Sequence, residues 1–297
     1  MHAIAEFVWK QGTSQEIAQY PYIVEFGCLY RKTAAHISLR SHNCFEFQYC
    51  LQGHRPWNVD SEFRIIKPND VLFTRPWQTH TGSAGVNPPS SAFWIIIKPG
   101  KINNRKVIRL GSWWLFSKEL EKKICRIFTL SSVSFFSHVP ETGAIFDDLY
   151  KEIRCPSLGS EEAIRFLLSK LVLLAARKID TLKLPDQNSS SDTDFHSFIS
   201  QHISESLKIK KLAAMLQMEE HDFKNKIKKE TGLYPHAYVN QLRLQKAAQL
   251  FKNKKNLSQI AVECGFCDQA HFSNFIKKFT GFTPKKYASI LSRNVNK

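Results

Sequence analysis

The 297-residue chain has no apolar run long enough to span a bilayer, which takes about 18 to 20 residues. Its longest apolar stretch, Phe166–Ala176, is short and is interrupted by Lys170. The first residues lack the basic region and the long apolar segment of a secretory signal peptide. We therefore expect a cytoplasmic protein that has no membrane partner.

Cysteine is scarce and irregularly placed, and tryptophan is missing from most of the chain. Seven cysteines give an odd, scattered set, which is typical of reduced thiols in a cytosol and not of a disulfide framework. All six tryptophans lie at or before Trp114. Cys264 and Cys267 form a CxxC pair, but the sequence has no second pair near them to complete a four-ligand zinc site. We interpret Cys264 as a small packing residue.

Acidic residues are few in the last third of the chain. Residues 195–297 contain 18 Lys and Arg against 7 Asp and Glu, a net charge of +11. The other 194 residues carry 24 against 19, which is +5 of the total +16. Charge confined to one third of a chain predicts a polyanionic partner for that third. By charge alone both nucleic acid and an anionic membrane fit, and the duplicated helical frame described below removes the membrane.

The first third is rich in short β-prone runs that are separated by turn signals such as Lys67-Pro68-Asn69-Asp70. The predicted strands are Tyr22–Tyr30, Ala34–Leu39, Phe45–Leu51, Phe63–Ile66, Val71–Phe73 and Phe93–Ile97. Many short strands at close spacing indicate a sandwich or a barrel.

From Ser117 the apolar residues recur at helical spacing. They are Leu120, Ile124, Ile127 and Phe128, then Ile164, Leu167, Leu168, Leu171 and Leu174. These helices either dimerise the protein or simply close its core. Residues 185–194 are polar apart from Pro185 and read as a flexible linker.

The basic third contains an internal duplication. The hexapeptide IKKETG at 227–232 recurs 49 residues later as IKKFTG at 276–281. Each copy predicts a short helix, a turn and a second helix, which is the helix-turn-helix arrangement. The predicted helices are 209–216 and 220–231 in the first copy, 258–264 and 268–280 in the second, and 236–252 between the copies. We expect glycines to end these helices, with Gly265 at positive φ and Gly281 after the last one.

The segment Gln245–Tyr287 resembles the signature of AraC-type transcription regulators. The matching pieces are Leu257–Ala261 (LSQIA), Cys264–Phe266 (CGF), His271–Phe275 (HFSNF) and Gly281–Pro284 (GFTP). The resemblance implies a two-unit domain that binds double-stranded promoter DNA and recruits or repositions RNA polymerase. Glu219 and Ala288 depart from the family pattern, in which serine and arginine are usual, so we expect weaker capping at Glu219.

Helical geometry and this resemblance together predict the residues that contact DNA. They are His221, Lys224, Asn225 and Lys228 on the first recognition helix, and Gln269, Ala270, Ser273, Asn274 and Lys277 on the second. Asn and Gln suit the hydrogen-bonding edge of adenine. For Lys228 and Lys277 we expect phosphate contacts.

The β-rich region resembles the cupin-type sensor domain of the same family. The residues that carry this resemblance are Ser41-His42, Glu46, Gln52-Gly53, Lys67–Asp70, Arg75-Pro76 and His80. In metal-binding cupins, histidines and a glutamate line the barrel, but here Arg40 stands where one histidine is expected. His42, Glu46 and His80 are the candidate ligands if a metal binds, and we expect neither metal nor other cofactor.

The same region can instead recognise a small molecule through apolar walls and a few polar groups. Trp77 and Trp94 are expected to face the barrel interior, and in relatives a tryptophan at the position of Trp94 stacks on sugar. The predicted ligand-binding residues are His36, His42, Glu46, Trp77, His80 and Trp94. A sugar is the leading expectation for the effector, whose identity stays open.

Together these patterns predict an α+β multidomain protein with an N-terminal cupin-like β-barrel, appended helices and a C-terminal all-α double helix-turn-helix domain. The predicted divisions are a ligand-sensing domain over 1–115, a helical dimerisation region over 116–184, a linker over 185–194 and the DNA-binding domain over 195–293. The expected function is a homodimeric, non-enzymatic transcription regulator that responds to a small-molecule effector. Two rivals stay open: a metal-dependent cupin enzyme fused to a DNA-binding module, and a constitutive regulator whose cupin only dimerises.

Overall fold

The computed structural model describes residues 5–293 apart from 38, 61, 104–106, 183–198, 200–201, 204–208, 232 and 253–254. The predicted linker at 185–194 lies outside these described residues. Among the helices that are described, none has the length and apolar character needed to cross a membrane.

Short strands dominate the first 136 residues, because runs of β-branched and aromatic residues alternate there with turn residues. Their bounds are β1 Phe7–Lys10, β2 Ile23–Arg31, β3 Ala35–His36, β4 Phe45–Gly53, β5 Arg55–Val59, β6 Glu62–Ile66, β7 Val71–Thr74, β8 His80–Gly82, β9 Val86–Asn87, β10 Ser90–Ile97, β11 Lys101–Ile102, β12 Ile108–Arg109 and β13 Phe135–Phe136. One antiparallel sheet has the order β1-β2-β10-β4-β7-β13, and a second has the order β6-β5-β8. A cluster that includes Cys50, Trp57 and Leu72 joins the two sheets. We call the two sheets together the barrel.

The strand predictions are confirmed at five of six positions within a few residues. The expected strand Ala34–Leu39 is too long, because only Ala35 and His36 pair with the two-residue β9. Sequence reasoning missed β5, which contains Pro56, a residue without a backbone N–H. In the structure Pro56 lies at the end of β5 that β8 does not cover.

Three helices pack on one face of the six-stranded sheet: α1 Lys118–Leu130, α2 Glu141–Arg154 and α3 Ser160–Leu182. The hydroxyl of Ser117 caps α1 by accepting a hydrogen bond from the backbone N–H of Leu120 at 3.2 Å. The core between sheet and helices is largely aromatic. Phe93 on β10 and Phe146 on α2 stack with ring centroids 5.2 Å apart.

The C-terminal part is entirely helical in its described residues and contains both predicted helix-turn-helix units. The helices are α4 Ile209–Met215, α5 Glu220–Thr231, α6 Pro235–Lys252, α7 Leu257–Glu263, α8 Gln269–Thr280 and α9 Pro284–Arg293. Asn256 caps α7 and Asp268 caps α8 with side-chain hydrogen bonds. The expected glycine ends are confirmed, since Gly265 and Gly281 have φ values of 79° and 77°.

Both units pack against the same side of the barrel. Ile65 of β6 is buried in the core of the first unit, beside Phe223 and Ile227. A 3-10 turn at Ser83–Gly85, directly after β8, places Ala84 in the core of the second unit. The three-stranded sheet therefore holds the two units side by side.

Replacing Phe146 with alanine should strongly destabilise the strand-rich part. Phe146 is fully buried, and deletion of a buried phenylalanine side chain lowers the free energy of unfolding by about 3 to 5 kcal/mol. All tryptophans lie in this part of the chain, so the measurement is urea unfolding followed by tryptophan fluorescence. Phe166→Ala is the matched control, because Phe166 on α3 is 47% exposed. Equal losses in the two variants would contradict this description of the core.

Candidate functional site

Helix α5 presents one polar face to solvent. Phe223 and Ile227 are fully buried, and the four predicted contact residues of this helix are all exposed. The amide Nδ2 of Asn225 lies 2.9 Å from Nε2 of His221. Lys228 donates to the hydroxyl of Tyr234 at 3.1 Å and lies over its ring, and Lys224 pairs with Glu220. The exposed face therefore carries three separate polar pairs.

Helix α8 presents the corresponding face in the second unit. Phe272 and Ile276 are fully buried, while the exposed predicted residues are Gln269, Ala270, Asn274 and Lys277. Ser273 differs from its prediction, because it is half-buried and its hydroxyl donates to the backbone carbonyl of Gln269 at 2.7 Å. A short polar side chain at this position makes its hydrogen bond to the backbone of its own helix. Ser273 is therefore the weakest member of the predicted set.

A buried polar cluster lies inside the barrel, centred on the carboxylate of Glu46. Glu46 is on β4 and is fully buried. Its Oε2 atom lies 2.9 Å from Nε2 of His42 and 2.9 Å from Nε2 of His80. Its Oε1 atom accepts hydrogen bonds of 2.6 Å from both Arg40 and Gln48. The three predicted residues His42, Glu46 and His80 are thus brought together, with two partners that the sequence reasoning did not assign.

The charges of this cluster shift two pKa values in opposite directions. Burial alone would raise the pKa of Glu46, but the charge of Arg40 and the hydrogen bonds from His42 and His80 hold it well below its usual range. Burial alone would lower the pKa of His42, but its hydrogen bonds to Cys44 and Glu46 and the charge of Glu46 raise it to about 9. The cluster therefore holds an ionised carboxylate at neutral pH.

The cluster has the donors for a metal but also a cation of its own. One ligand atom from each of His42, Glu46 and His80 lies within 4.8 Å of the others, and three N or O donors can hold a divalent ion. The guanidinium of Arg40, however, reaches both Glu46 and Nε2 of His80, the latter at 3.1 Å. This positive charge neutralises the carboxylate and disfavours a second cation beside it. The number of donors therefore suits a divalent metal, but the positive charge of Arg40 beside them does not.

Several buried polar atoms around the cluster have no hydrogen-bond partner in the described part of the chain. They include the indole N–H of Trp57, the hydroxyl of Thr74 and Nε of Arg55. Thr74 pairs with Glu46 across β7 and β4, and the ring of Trp57 lies 6.2 Å from that of His80. Buried polar groups are normally satisfied by protein, water or a ligand. A small molecule with several hydroxyl groups could satisfy these atoms.

The predicted aromatic ligand residues separate into two places. Trp94 pairs with Gly27 and Gln48 across the sheet, so it shares the face that carries Glu46. A Cβ at Gly27 would lie 2.3 Å from the Trp94 ring, so glycine leaves room for the indole, whose N–H donates to Glu25 at 2.7 Å. Trp77 does not share this face, because it follows β7 in a loop and packs against the core between sheet and helices, and its role in ligand binding stays a prediction. The side chain of His36 is outside the described set.

Sequence reasoning missed Gln48, Arg55, Trp57 and Thr74 as residues around the cluster. Arg55 donates to Gln48 at 3.1 Å and, like Trp57, is buried. The signal for these two was the period-two spacing of Arg55, Trp57 and Val59. Pro56, which has no backbone N–H to donate, interrupts this pattern between Arg55 and Trp57.

Two protein-family models match the chain. The model described as an AraC-like ligand binding domain matches residues 24–106. The model described as a helix-turn-helix domain matches residues 212–289. The first range contains the buried cluster, and the second contains both exposed recognition faces.

Individual relatives match part of the chain. The HTH-type transcriptional activator RhaS of Escherichia fergusonii is 28% identical over 128 residues, covering 43% of this chain and 46% of that protein. The probable transcriptional regulator LumQ of Photobacterium leiognathi is 33% identical over 92 residues, covering 31% and 37%. The chain therefore spans about half the length, or less, of these curated relatives. A solved transcriptional regulator of Chromobacterium violaceum, with an AraC-type DNA-binding domain, is 26% identical with a TM-score of 0.32, covering 34% of this chain and 91% of that one.

The raised pKa of His42 predicts a loss of stability in mild alkali. A group whose folded pKa lies above its unfolded value of 6.5 stabilises the fold fully below that pH, and this contribution is lost as the pH rises to about 9. The free energy of unfolding of the wild type should therefore fall across this interval, and His42→Gln should remove that part of the slope. Urea unfolding at successive pH values measures it.

The matched control for this pH experiment is His138→Asn, since His138 is exposed and its positive φ suits asparagine. The control should keep the wild-type slope. A wild-type curve that is flat between pH 6.5 and about 9 would overturn the assigned ion pair.

Proposed function

The chain belongs to the AraC-type family, and we propose that it is a ligand-responsive transcription regulator that reads two successive major-groove segments of promoter DNA. The observation that carries the proposal is the pair of exposed faces on α5 and α8. Each face is positioned by a buried phenylalanine and isoleucine of the duplicated frame, Phe223 with Ile227 and Phe272 with Ile276. The net charge of +11 over residues 195–297 favours a polyanion as partner.

The two faces divide DNA recognition between affinity and specificity. Lys228 and Lys277 occupy equivalent positions in the two copies and anchor phosphates, which gives a salt-dependent, sequence-independent affinity. Asn225, Gln269 and Asn274 offer the amide groups that pair with base edges. Helix α6 has 18 residues and spans about 27 Å, which suits recognition helices placed about one DNA turn, or 34 Å, apart.

The effector site of this proposal is the buried cluster of the barrel. Arg40, His42, Glu46 and Gln48 form a charged hydrogen-bonding centre, and Trp94 provides an aromatic face on the same sheet. The unsatisfied atoms of Trp57, Thr74 and Arg55 favour a ligand with several donors and acceptors. We propose a polyhydroxylated small molecule, with sugars as the first class to screen.

A short covalent path leads from this cluster to the second helix-turn-helix unit. His80 of the cluster begins β8, and four residues later the carbonyl of Ala84 accepts a hydrogen bond from the hydroxyl of Tyr287 on α9. A ligand that shifts β8 therefore changes a contact of the DNA-binding part. Such a ligand alters DNA affinity only to the extent that its own affinity differs between the protein before the shift of β8 and the protein after it. The proposal also includes a homodimer formed through residues 116–184, contact with RNA polymerase and a cytoplasmic location.

A metal-dependent cupin enzyme is the second candidate, and the three converging donors of His42, Glu46 and His80 favour it. The relatives named above are transcription regulators, which favours a non-enzymatic protein. Elemental analysis of the purified chain decides between them. A stoichiometric transition metal that is lost in Glu46→Gln would support the enzyme, whereas its absence supports the regulator.

The amide side chains of the reading faces should be required for specific binding. The cognate site is first obtained by selecting genomic fragments that the purified protein retains. Asn225→Ala and Asn274→Ala should each weaken binding to that site by about fivefold to 150-fold, because one lost base contact removes about 1 to 3 kcal/mol. Fluorescence anisotropy with labelled duplexes measures this loss.

Gln249→Ala is the control for these variants, because Gln249 is an exposed amide on α6, away from both reading faces. Affinity for unrelated DNA should stay nearly constant in all three variants. If both asparagine variants bind the selected site like the wild type, the assignment of the reading faces fails.

The hydroxyl of Tyr287 should stabilise the segment that follows β8. Tyr287→Phe leaves the ring in place but deprives the carbonyl of Ala84 of its donor, so amide exchange over residues 80–87 should accelerate by about fivefold, for about 1 kcal/mol lost. Tyr238→Phe is a control from the repeat itself, because Tyr238 is the counterpart of Tyr287 in the first unit. Unchanged exchange over residues 80–87 in Tyr287→Phe would remove this contact from the proposed path. Hydrogen exchange with mass spectrometry reads both variants.

A further inference from the structure

Tyr234 is a large aromatic residue that the helix-turn-helix frame leaves in solvent. It lies between α5 and α6 and is 65% exposed. Its hydroxyl accepts a hydrogen bond from Nζ of Lys228 at 3.1 Å, and the same Nζ lies 4.6 Å from the centre of its ring. The ring of Tyr234 therefore extends the reading face of α5 beyond the end of that helix.

The residue at this place in the repeat is the one that can cap the following helix. Tyr234 directly precedes Pro235, the first residue of α6, and tyrosine is not a capping residue, because its hydroxyl lies too far from its own backbone. Its counterpart 49 residues later is Thr283, which directly precedes Pro284 at the start of α9. The hydroxyl of Thr283 accepts a hydrogen bond from the backbone N–H of Lys286 at 3.5 Å. The second unit thus has a capping side chain at the place where the first unit has a tyrosine.

The two lysines for which we expect phosphate contacts differ in the same way. Lys228 and Lys277 occupy equivalent positions and are both exposed. Lys228 is held by the hydroxyl and the ring of Tyr234, whereas the side chain of Lys277 has no hydrogen-bond or ion-pair partner within the part of the chain that the structure describes. In the first unit a contact with the lysine therefore takes the place of a helix cap. Such a departure from local stability is expected where a side chain has a function.

The pair of Lys228 and Tyr234 has the donors that suit a phosphate group. The ammonium group of Lys228 has three N–H donors, of which one is directed at the tyrosine oxygen, and the hydroxyl of Tyr234 has an O–H donor of its own. The two donor atoms lie 3.1 Å apart, so both can donate to one phosphate. Lysine and tyrosine side chains both contact phosphates in protein–DNA complexes.

The place of the pair on its helix also favours the DNA backbone over the bases. The N-terminal residues of a recognition helix contact base edges, whereas Lys228 lies in the last turn of α5. The contact with Tyr234 restricts the long lysine side chain before DNA binds. A side chain that is already restricted loses less rotamer entropy on binding, which strengthens the complex.

We propose that Tyr234 and Lys228 together form a clamp for one DNA phosphate, in which Tyr234 is a contact residue that also positions the lysine. The inference rests on the proposed DNA binding and adds a residue outside the predicted recognition helices. Because Thr283 stands at the equivalent place, the first unit holds the DNA backbone more tightly than the second. A phosphate contact carries no sequence information, so the clamp raises the affinity for every duplex alike.

The test is fluorescence anisotropy of the full chain with two labelled duplexes of equal length, one with a selected genomic site and one of unrelated sequence. Tyr234→Phe keeps the ring beside the lysine and removes the hydroxyl, so we expect about fivefold weaker binding to both duplexes. Tyr234→Thr installs the residue of the second unit and removes both contacts, for about tenfold to thirtyfold weaker binding. The ratio of the two affinities should keep its wild-type value in both variants.

Two further measurements separate this role from a structural one. Lys228→Met should lower the slope of log affinity against log salt by about 1, and in this background Tyr234→Thr should weaken binding by only about threefold or less, because the two side chains act together. The melting temperature of Tyr234→Thr should equal or exceed that of the wild type, since threonine provides a cap for α6. A tyrosine that only stabilised the fold would lower the melting temperature and the affinity together.

Tyr30→Phe is the matched control, because it removes the hydroxyl of a barrel tyrosine on β2 and should bind both duplexes like the wild type. The clamp is excluded if both Tyr234 variants bind like the wild type, if their loss is confined to the selected site, or if it persists in full beside Lys228→Met. In each of these cases, wild-type binding to the selected site still supports the proposed function. A folded wild type that binds neither duplex contradicts both the clamp and the proposed function.

Discussion

The burial of barrel residues inside the two helix-turn-helix cores is the constraint on which the rest of the structure depends. Ile65 belongs to a strand and Ala84 to a turn, yet each is buried among the residues of a different helical unit. A single three-stranded sheet with its adjoining turn therefore sets the relation between the two recognition helices. Removing either contact would expose apolar surface on both partners. The same packing leaves the reading faces in solvent, because the first unit contacts the barrel through the buried side of α5 and the second through α6 and α9.

The buried carboxylate of Glu46 imposes a second constraint within the barrel. An ionised carboxylate is stable there only with positive and hydrogen-bonding partners. Arg40 and His80 provide them, and their backbones also pair with each other at 2.9 and 3.0 Å. The electrostatics of the cluster thus fix the start of β8, the strand that leads to Ala84. His80, which belongs to the buried cluster, and Ala84, which packs against the second unit, therefore lie on one short segment of backbone.

Sequence patterns predicted the helical third better than the barrel, for physical reasons. The helices of the duplicated units carry caps and terminal glycines that act locally, so their bounds could be read to within a residue or two. The cluster residues His42, Glu46 and His80 were identified by resemblance, but the neighbouring Gln48, Trp57 and Thr74 were not. The pairing of strands depends on residues that are far apart in the sequence, so a local pattern does not predict it. Pro56 is also atypical of a strand such as β5, which carries Trp57. Trp77 was misplaced because a loop residue has no fixed alternation between faces.

The duplication is most informative where its two copies differ. Matching residues such as Phe223 and Phe272 report what any helix-turn-helix unit needs, namely a core that fixes the second helix. At one equivalent position the second unit has Phe275 and the first has Lys226. Lys226 does not serve to fix the second helix of its unit, because a half-buried lysine stabilises a core less than phenylalanine does. In the fold, only the first unit borders a cleft between α3 and β6. The difference between the copies therefore follows the asymmetry of their surroundings: the second unit contacts the barrel through Ala84 and the hydrogen bond from Tyr287 to its carbonyl, whereas the first contacts it through Ile65 beside an open cleft.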